Sequence, residues 1–525
     1  MPSDPYDPGA EQSMLPLDPA GDAELTEPVD VGAVASYGQP PEDKPVGAPS
    51  EPPRQVPKPA AAQPTPPQDP TPRVTPPSSP APQTPSAVPA ASQISKVTPE
   101  LRRQVPTAAR PRPESIPAGM LTVEQHLETI LRGVGPLEPY DQPIVESLGL
   151  PIHEDFISQH DLPRFDNSAM DGYAVRAQDV TEASRNSPVT LPVVGEIAAG
   201  SARPFAISAG TAVKIMTGAP IPRGADAVIP LEATDRGNAR VVIYKGAPVG
   251  ACIRPRGTDV RTGDLMLPAG TVLGPREVGL LASLGAGRVK SRPRPRVVII
   301  STGTELREPG DHLEFDSIFD GNSFMLAAAV RSVGAIAYRV GAVDDNPKAF
   351  RRMLSDQLVR ADLVVTSGGI SKGDHDVVKE ALSPLGTVTF SEVAMQPGKP
   401  QGFGTVFDEQ TPIITLPGNA VSAYVSFEVF VMPAIRRMMG LTPYRRPMVH
   451  AVLSADLQSP PGRRQYVRGV FEVTHRGAKV TPIGGAGSHL IGGLAKANAL
   501  IVVGEDETAL NMGDTVRTLV LDRPF

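Results

Sequence analysis

The chain has 525 residues, 40% apolar and 20% charged, with a formal net charge of −7 at pH 7. That length holds three or four domains with cores of their own, the single cysteine Cys252 excludes an internal disulfide, and no apolar run reaches the roughly 18 residues that span a bilayer. A near-neutral body without tryptophan lacks both the basic stripe and the stacking platforms of a nucleic-acid binder, and the start MPSDPYDPGAEQ has no signal-peptide pattern, so a cytoplasmic protein is expected.

Residues 1–118 carry roughly half of the 61 prolines, and residues 1–50 set ten acidic side chains against Lys44 alone. Apolar side chains there are too sparse to offset the entropy of ordering, which predicts a disordered tail of polyproline-II character. Order is expected to begin at LTVEQHLETILRGV. Val123, Leu127, Ile130, Leu131 and Val134 share one helical face there, and Thr122 is placed to cap the helix. From 188 to 273 short β-branched runs broken by Gly and Pro predict a β-rich region. After Arg296 strands alternate with helices: RVVIIST, NSFMLAAAVRSVG, AIAYRVGAV, NPKAFRRMLSDQLV, ADLVVTS and DHDVVKEALSPLG. That is the pattern of βαβ units packed as a parallel sheet between helices, running to about Gly440. Residues 446–525 return to strand-like alternation and read as a separate β domain.

Several apolar runs end in or adjoin glycine-bearing turns: VVIISTGTEL (297–306), DLVVTSGGISKGDHD (362–376), AMQPGKPQGFG (394–404) and IITLPGNAVSA (413–423). A buried strand ending in Ser/Thr-Gly delivers free backbone amides at the carboxyl edge of a sheet, where they can face an anion. Neither G-x-G-x-x-G after a strand nor G-x-x-x-x-G-K-[ST] occurs, so the ligand is not one of the common nucleotides in its usual cradle. Thr302, Gly303, Ser367, Gly368, Gly369, Pro417, Gly418 and Asn419 form these turns. Lys399 offers a cation, and Glu305, Asp374 and Asp376 offer carboxylates near strand ends. Asp374 and Asp376 also suit the start of a helix, as do Asp344 and Asp345 before Asn346-Pro347. GISKG (369–373) fits G-x-S-x-G, but its Ser371 is set off from both strand and helix by extra residues, unlike a nucleophile elbow.

Together with DNSAMDGYAVR (166–176), VKIMTGAPIPRGADAVIP (213–230), IRPRGTDVRTGD (253–264) and GSHLIGGLAKANALIVV (487–503), these motifs resemble, in order, the MoeA family of molybdopterin molybdenumtransferases and the homologous gephyrin E domain. The resemblance covers about 120–520. It implies a multidomain α/β protein: a split mixed α/β domain at 119–165 and 255–295, an inserted β-rich domain at 166–254, a three-layer α/β/α domain with a mostly parallel sheet at 296–440, and a C-terminal β domain at 446–525. It also implies insertion of molybdate into adenylylated molybdopterin with release of AMP, in a homodimer, with Mg²⁺ as cofactor. Asp166, Glu305, Asp376 and Lys399 are then catalytic, and Glu305, Asp345 and Asp376 hold metal. Thr217, Asp259, Arg468 and Ser488 join the turn residues in binding substrate, Arg468 and Ser488 completing the partner subunit's site. The pattern departs at Gln396 (commonly Lys), Ala420 (Pro), Thr304 (Asp) and Thr258 (Glu). Loss of the cation at 396 would weaken grip on a polyanion by on the order of 1.5–3 kcal/mol. A gephyrin-like scaffold binding a peptide segment of a partner protein is the alternative.

Overall fold

The computed structural model describes residues 115–522, apart from 201–204, 344–345, 371–375, 409, 476 and 486. The expected tail therefore lies almost wholly outside the described residues. Its last residues are packed: Ile116 and Met120 are buried against Ala394, and the Ser115 hydroxyl donates to the Glu505 carbonyl at 3.2 Å. Residues 115–118 are thus packed on the body, because the apolar side chains of Ile116 and Met120 anchor the segment entering the helix.

That helix, Val123–Gly133, starts in a reciprocal cap: Thr122 Oγ1 accepts from Gln125 N–H, and Gln125 Oε1 accepts from Thr122 N–H. Its buried face holds Val123, Leu127 and Ile130 as the periodicity requires, and also His126. The His126 ring lies edge-on to Phe430 with centroids 4.8 Å apart, its Nε2 is buried without a partner, and burial pulls its pKa down to about 4.

The insert forms a five-stranded sheet in the order Ala227–Pro230, Gly172–Val175, Ala212–Ile215, Val189–Ile197, Arg240–Ile243. Short ladders frame it, Tyr140–Pro143 with Arg288–Ser291 and Phe156–Ile157 with Leu265–Leu267.

The α/β part is a six-stranded sheet in the order Ile336–Val343, Arg296–Thr302, Leu363–Ser367, Thr411–Leu416, Pro400–Val406, Val388–Glu392. The first four run parallel and the last two join as an antiparallel edge. Alternation sends Val297 and Ile299 to one face and Val298 and Ile300 to the other. The first face packs on helices Gly321–Ser332, Val123–Gly133 and the run from 420 to 438, and the second on Pro347–Leu358 and Val377–Leu382. Three layers result, as the alternation of elements predicts. The helix at Pro347 is capped by Asn346, whose Oδ1 accepts from Lys348 and Ala349 N–H, so the cap expected of Asp344 or Asp345 falls one residue later. Asn can take it because its short amide reaches the N–H groups two and three residues ahead.

The C-terminal strands Arg464–Thr474, Gly477–Pro482, Met448–Leu453, Thr515–Val520 and Ala499–Val503 close on themselves, the first pairing with the last. Closure removes the exposed edges that an open five-stranded sheet would carry. A further short strand from the α/β part, Met395–Gln396, adds in parallel beside Arg464–Gln465. The QPGKP turn is thereby fastened to the barrel.

Candidate active site

The carboxyl ends of the parallel strands open into a cleft of about 880 Å³. Three strands each deliver a turn to it, at Ser301–Thr302, Ser367–Gly369 and Pro417–Asn419. Gly368 and Gly369 have φ of +100° and +65°, and a Cβ on Gly369 would sit 3.1 Å from Thr302 Oγ1 and 3.0 Å from Val378 N. Only glycine lets the two turns approach this closely. Thr302 Oγ1 is buried with no partner of its own. Asn322, early in its helix, ties two turns together by donating from Nδ2 to Ser367 Oγ at 3.0 Å and to the Gly418 carbonyl. Leu306, Ile318 and Phe319 give the cleft an apolar wall.

Glu305 is exposed at the cleft, and Gly303 beside it leaves room for its carboxylate. Lys399 lines the cleft but has an acidic partner, contrary to the expectation that its short loop leaves it few: Nζ lies 2.9 Å from Glu392 Oε2. The antiparallel register explains this, since Glu392 pairs with Pro400 next to the lysine. Ser488 is in the cleft of its own chain, accepting from Asn419 Nδ2 at 3.0 Å, while its carbonyl accepts from Val421 N–H. It reaches a site without leaving its own subunit.

Arg468 is buried on the barrel and lines a smaller cavity of about 260 Å³, which shares Gln396 and Pro397 with the main cleft. Its guanidinium donates to the carbonyls of Leu490, Gly484 and Gly485, and burial lowers its pKa. Asp376 stands at the start of helix Val377–Leu382 yet makes no capping bond with its side chain, and its Oδ2 is buried without a partner. Asp345, Asp374 and Ser371 lie outside the described residues. Among the described residues no three acidic, His or Cys side chains gather as a ready-made metal cage.

Asp166, Thr217 and Asp259 do not line this cleft; they lie exposed around the insert. Asp166 Oδ1 accepts from Arg256 N–H at 2.7 Å. Asp171 accepts both the N–H and the hydroxyl of Thr217, which hold its carboxyl below the usual range. Two residues that sequence reasoning passed over belong to the cleft, Asn322 and Arg463. The first is hidden in a helix start, where Asp-Gly-Asn-Ser reads as capping alone. The second sits in the turn just before a strand, beside Arg464, where alternation says nothing about a cleft in another domain.

Residues 121–285 match the MoeA N-terminal region (domain I and II), 298–437 a probable molybdopterin binding domain, and 450–521 the MoeA C-terminal region (domain IV). The chain belongs to the MoeA family. A relative named molybdopterin molybdenumtransferase 2, from Mycobacterium tuberculosis, is 43% identical over 400 residues, covering 75% of this chain and 98% of the relative. Another MoeA relative, named molybdopterin molybdenumtransferase, from Nostoc sp., is 39% identical over 371 residues, covering 70% and 84%. The crystal structure of a molybdopterin biosynthesis MoeA protein from Pyrococcus horikoshii covers 77% of this chain and 100% of its own, at 31% identity and a TM-score of 0.65. All three family segments lie within the described fold, and the central one carries the cleft's strand-end turns.

Proposed function

We propose that this chain is a molybdopterin molybdenumtransferase, which inserts molybdate into adenylylated molybdopterin with release of AMP. The observation that carries this reading is the convergence of three amide-bearing turns on one cleft, within the segment that matches a molybdopterin binding domain. Backbone N–H groups at Gly369, Gly418 and Asn419 suit phosphate and molybdate oxygens and cost no reorganisation when charge develops on them, whereas those of Gly303 and Gly368 donate to the Val343 and Leu416 carbonyls. Leu306, Ile318 and Phe319 suit the flat pterin. Lys399, held near the cleft by Glu392, orients an anion more than it adds net charge.

Glu305 and the orphaned Thr302 hydroxyl line the cleft, and Asp376, whose Oδ2 is buried without a partner outside that lining, would be the second carboxylate for Mg²⁺, which takes one or two carboxylates and completes its shell with substrate phosphate and water. When bound, the ion would neutralise charge on the phosphates during P–O cleavage. Asp345 is a further ligand on this reading. Arg468 and Ser488 would hold molybdate from the barrel side. Asp166, Thr217 and Asp259, remote from the cleft lining, would contribute through a homodimer in which the insert of one subunit faces the cleft of the other. The relatives' names favour the enzyme over a gephyrin-like scaffold. No helix among the described residues is long and apolar enough to cross a membrane.

Expression in a bacterial strain lacking its own molybdopterin molybdenumtransferase tests the reading. Molybdoenzyme activity at ordinary molybdate is the expected result; no restoration despite soluble expression would refute it.

A further inference from the structure

The cleft is built for an anion, yet the cations that the sequence offers it are weak. Gln396 is neutral, and Lys399 is neutralised by Glu392 2.9 Å away. Among the described residues one other cation lines the same space: Arg463, on the turn that enters the barrel. It is partly buried and, among the described residues, makes neither a hydrogen bond nor an ion pair. An arginine held at a cleft wall without a carboxylate partner is unusual, because a guanidinium has five donors to satisfy.

Its placement is fixed from both sides. Gly462, just before it, has φ +75°, and a Cβ there would lie 2.3 Å from the Ser115 carbonyl, so the turn accepts only glycine. Arg464, just after it, pairs with Glu124 and lies 2.7 Å from Glu505, and its N–H donates to the Ala394 carbonyl at 2.9 Å. Arg464 is thus committed to the interior, and its neighbour is left facing the cleft. The parallel pairing of Met395–Gln396 with Arg464–Gln465 sets residues 463 and 396 on adjoining chains of one seam.

We propose that Arg463 is the cleft's uncommitted cation and binds the phosphate-bearing part of the ligand, supplying from the barrel the charge that Gln396 does not. This rests on the cleft being the site of an adenylylated pterin. The charge requirement itself concerns any pyrophosphate group, so the two can be separated by choosing two probes.

Binding of inorganic pyrophosphate and of adenylylated molybdopterin is measured for the wild type, Arg463→Gln, Arg463→Lys and the double variant Arg463→Gln/Gln396→Lys, with melting temperature as a check on folding. Loss of one charge-assisted contact should weaken both probes by about tenfold to a hundredfold in Arg463→Gln, with a shallower dependence on salt. Arg463→Lys should recover part of the loss, and lysine at 396 should recover binding in the double variant, which a merely structural role for Arg463 would not allow. If Arg463→Gln binds both probes as the wild type does, the proposal is overturned. Arg463-dependent binding of pyrophosphate without binding of the pterin would uphold the anion site and refute the pterin reading. Failure of the wild type to bind either probe would overturn both.

Discussion

His126 shows what a single side chain can make of an otherwise apolar helix face. Buried against Phe430 with no partner for Nε2, it is held neutral, its pKa about 4 against 6.5 for the free side chain. The unfolded chain takes up this proton near pH 6.5 and the folded chain does not until about pH 4. The stability associated with His126 is therefore complete above pH 6.5 and drains away as pH falls toward 4, by roughly 3 kcal/mol at most. His126→Phe should flatten the fall in melting temperature between pH 7 and pH 5 relative to the wild type. Parallel curves for the two proteins would show that the imidazole is solvated. The periodicity of the helix places 126 on the buried side, but a histidine there gives no sign in the sequence that its ring nitrogen lacks a partner.

At the scale of elements, the strand ends are the part of the site legible in sequence. Apolar runs closing in Ser/Thr-Gly or Leu-Pro-Gly already imply turns at strand ends, and three such turns meet in the cleft, although the amides of Gly303 and Gly368 are taken by neighbouring strands. The ion pairs between elements are not legible, since they depend on register across distant segments: Glu392 reaches Lys399 through the edge hairpin, and Arg464 reaches Glu124 and Glu505 through the barrel seam. Arg464 joins the first helix, the QPGKP strand and the barrel at one point, with its side chain largely out of solvent. Arg464→Ala would leave Glu505 buried beside no cation, and breaking a buried pair from one side costs about 3–5 kcal/mol. A clear drop in melting temperature, with weakened ligand binding because the Arg463 turn loosens, is expected; an unchanged melting temperature would mean the cluster is solvated and contributes little.

Over the whole molecule, the α/β stretch after Arg296 was legible where the hydrophobic period changes from two to that of helices and back, whereas a first domain split around an insert was implied by the resemblance alone. The closure of the C-terminal strands into a barrel was not legible, because alternation fixes faces and not partners. Nor could sequence order reveal that Ser488 lines its own chain's cleft while Asp166, Thr217 and Asp259 lie away from it. That separation is what motivates the proposed homodimer, in which one subunit's insert would complete the other's site. The most direct test of molybdenum insertion at this cleft is AMP release by the purified chain from adenylylated molybdopterin with Mg²⁺, with and without molybdate, beside Asp376→Asn. The expected result is release that requires molybdate and falls by on the order of a hundredfold in Asp376→Asn, whose shape is kept while a formal charge is lost. No release from the wild type, or release indifferent to both molybdate and the substitution, would contradict the assignment.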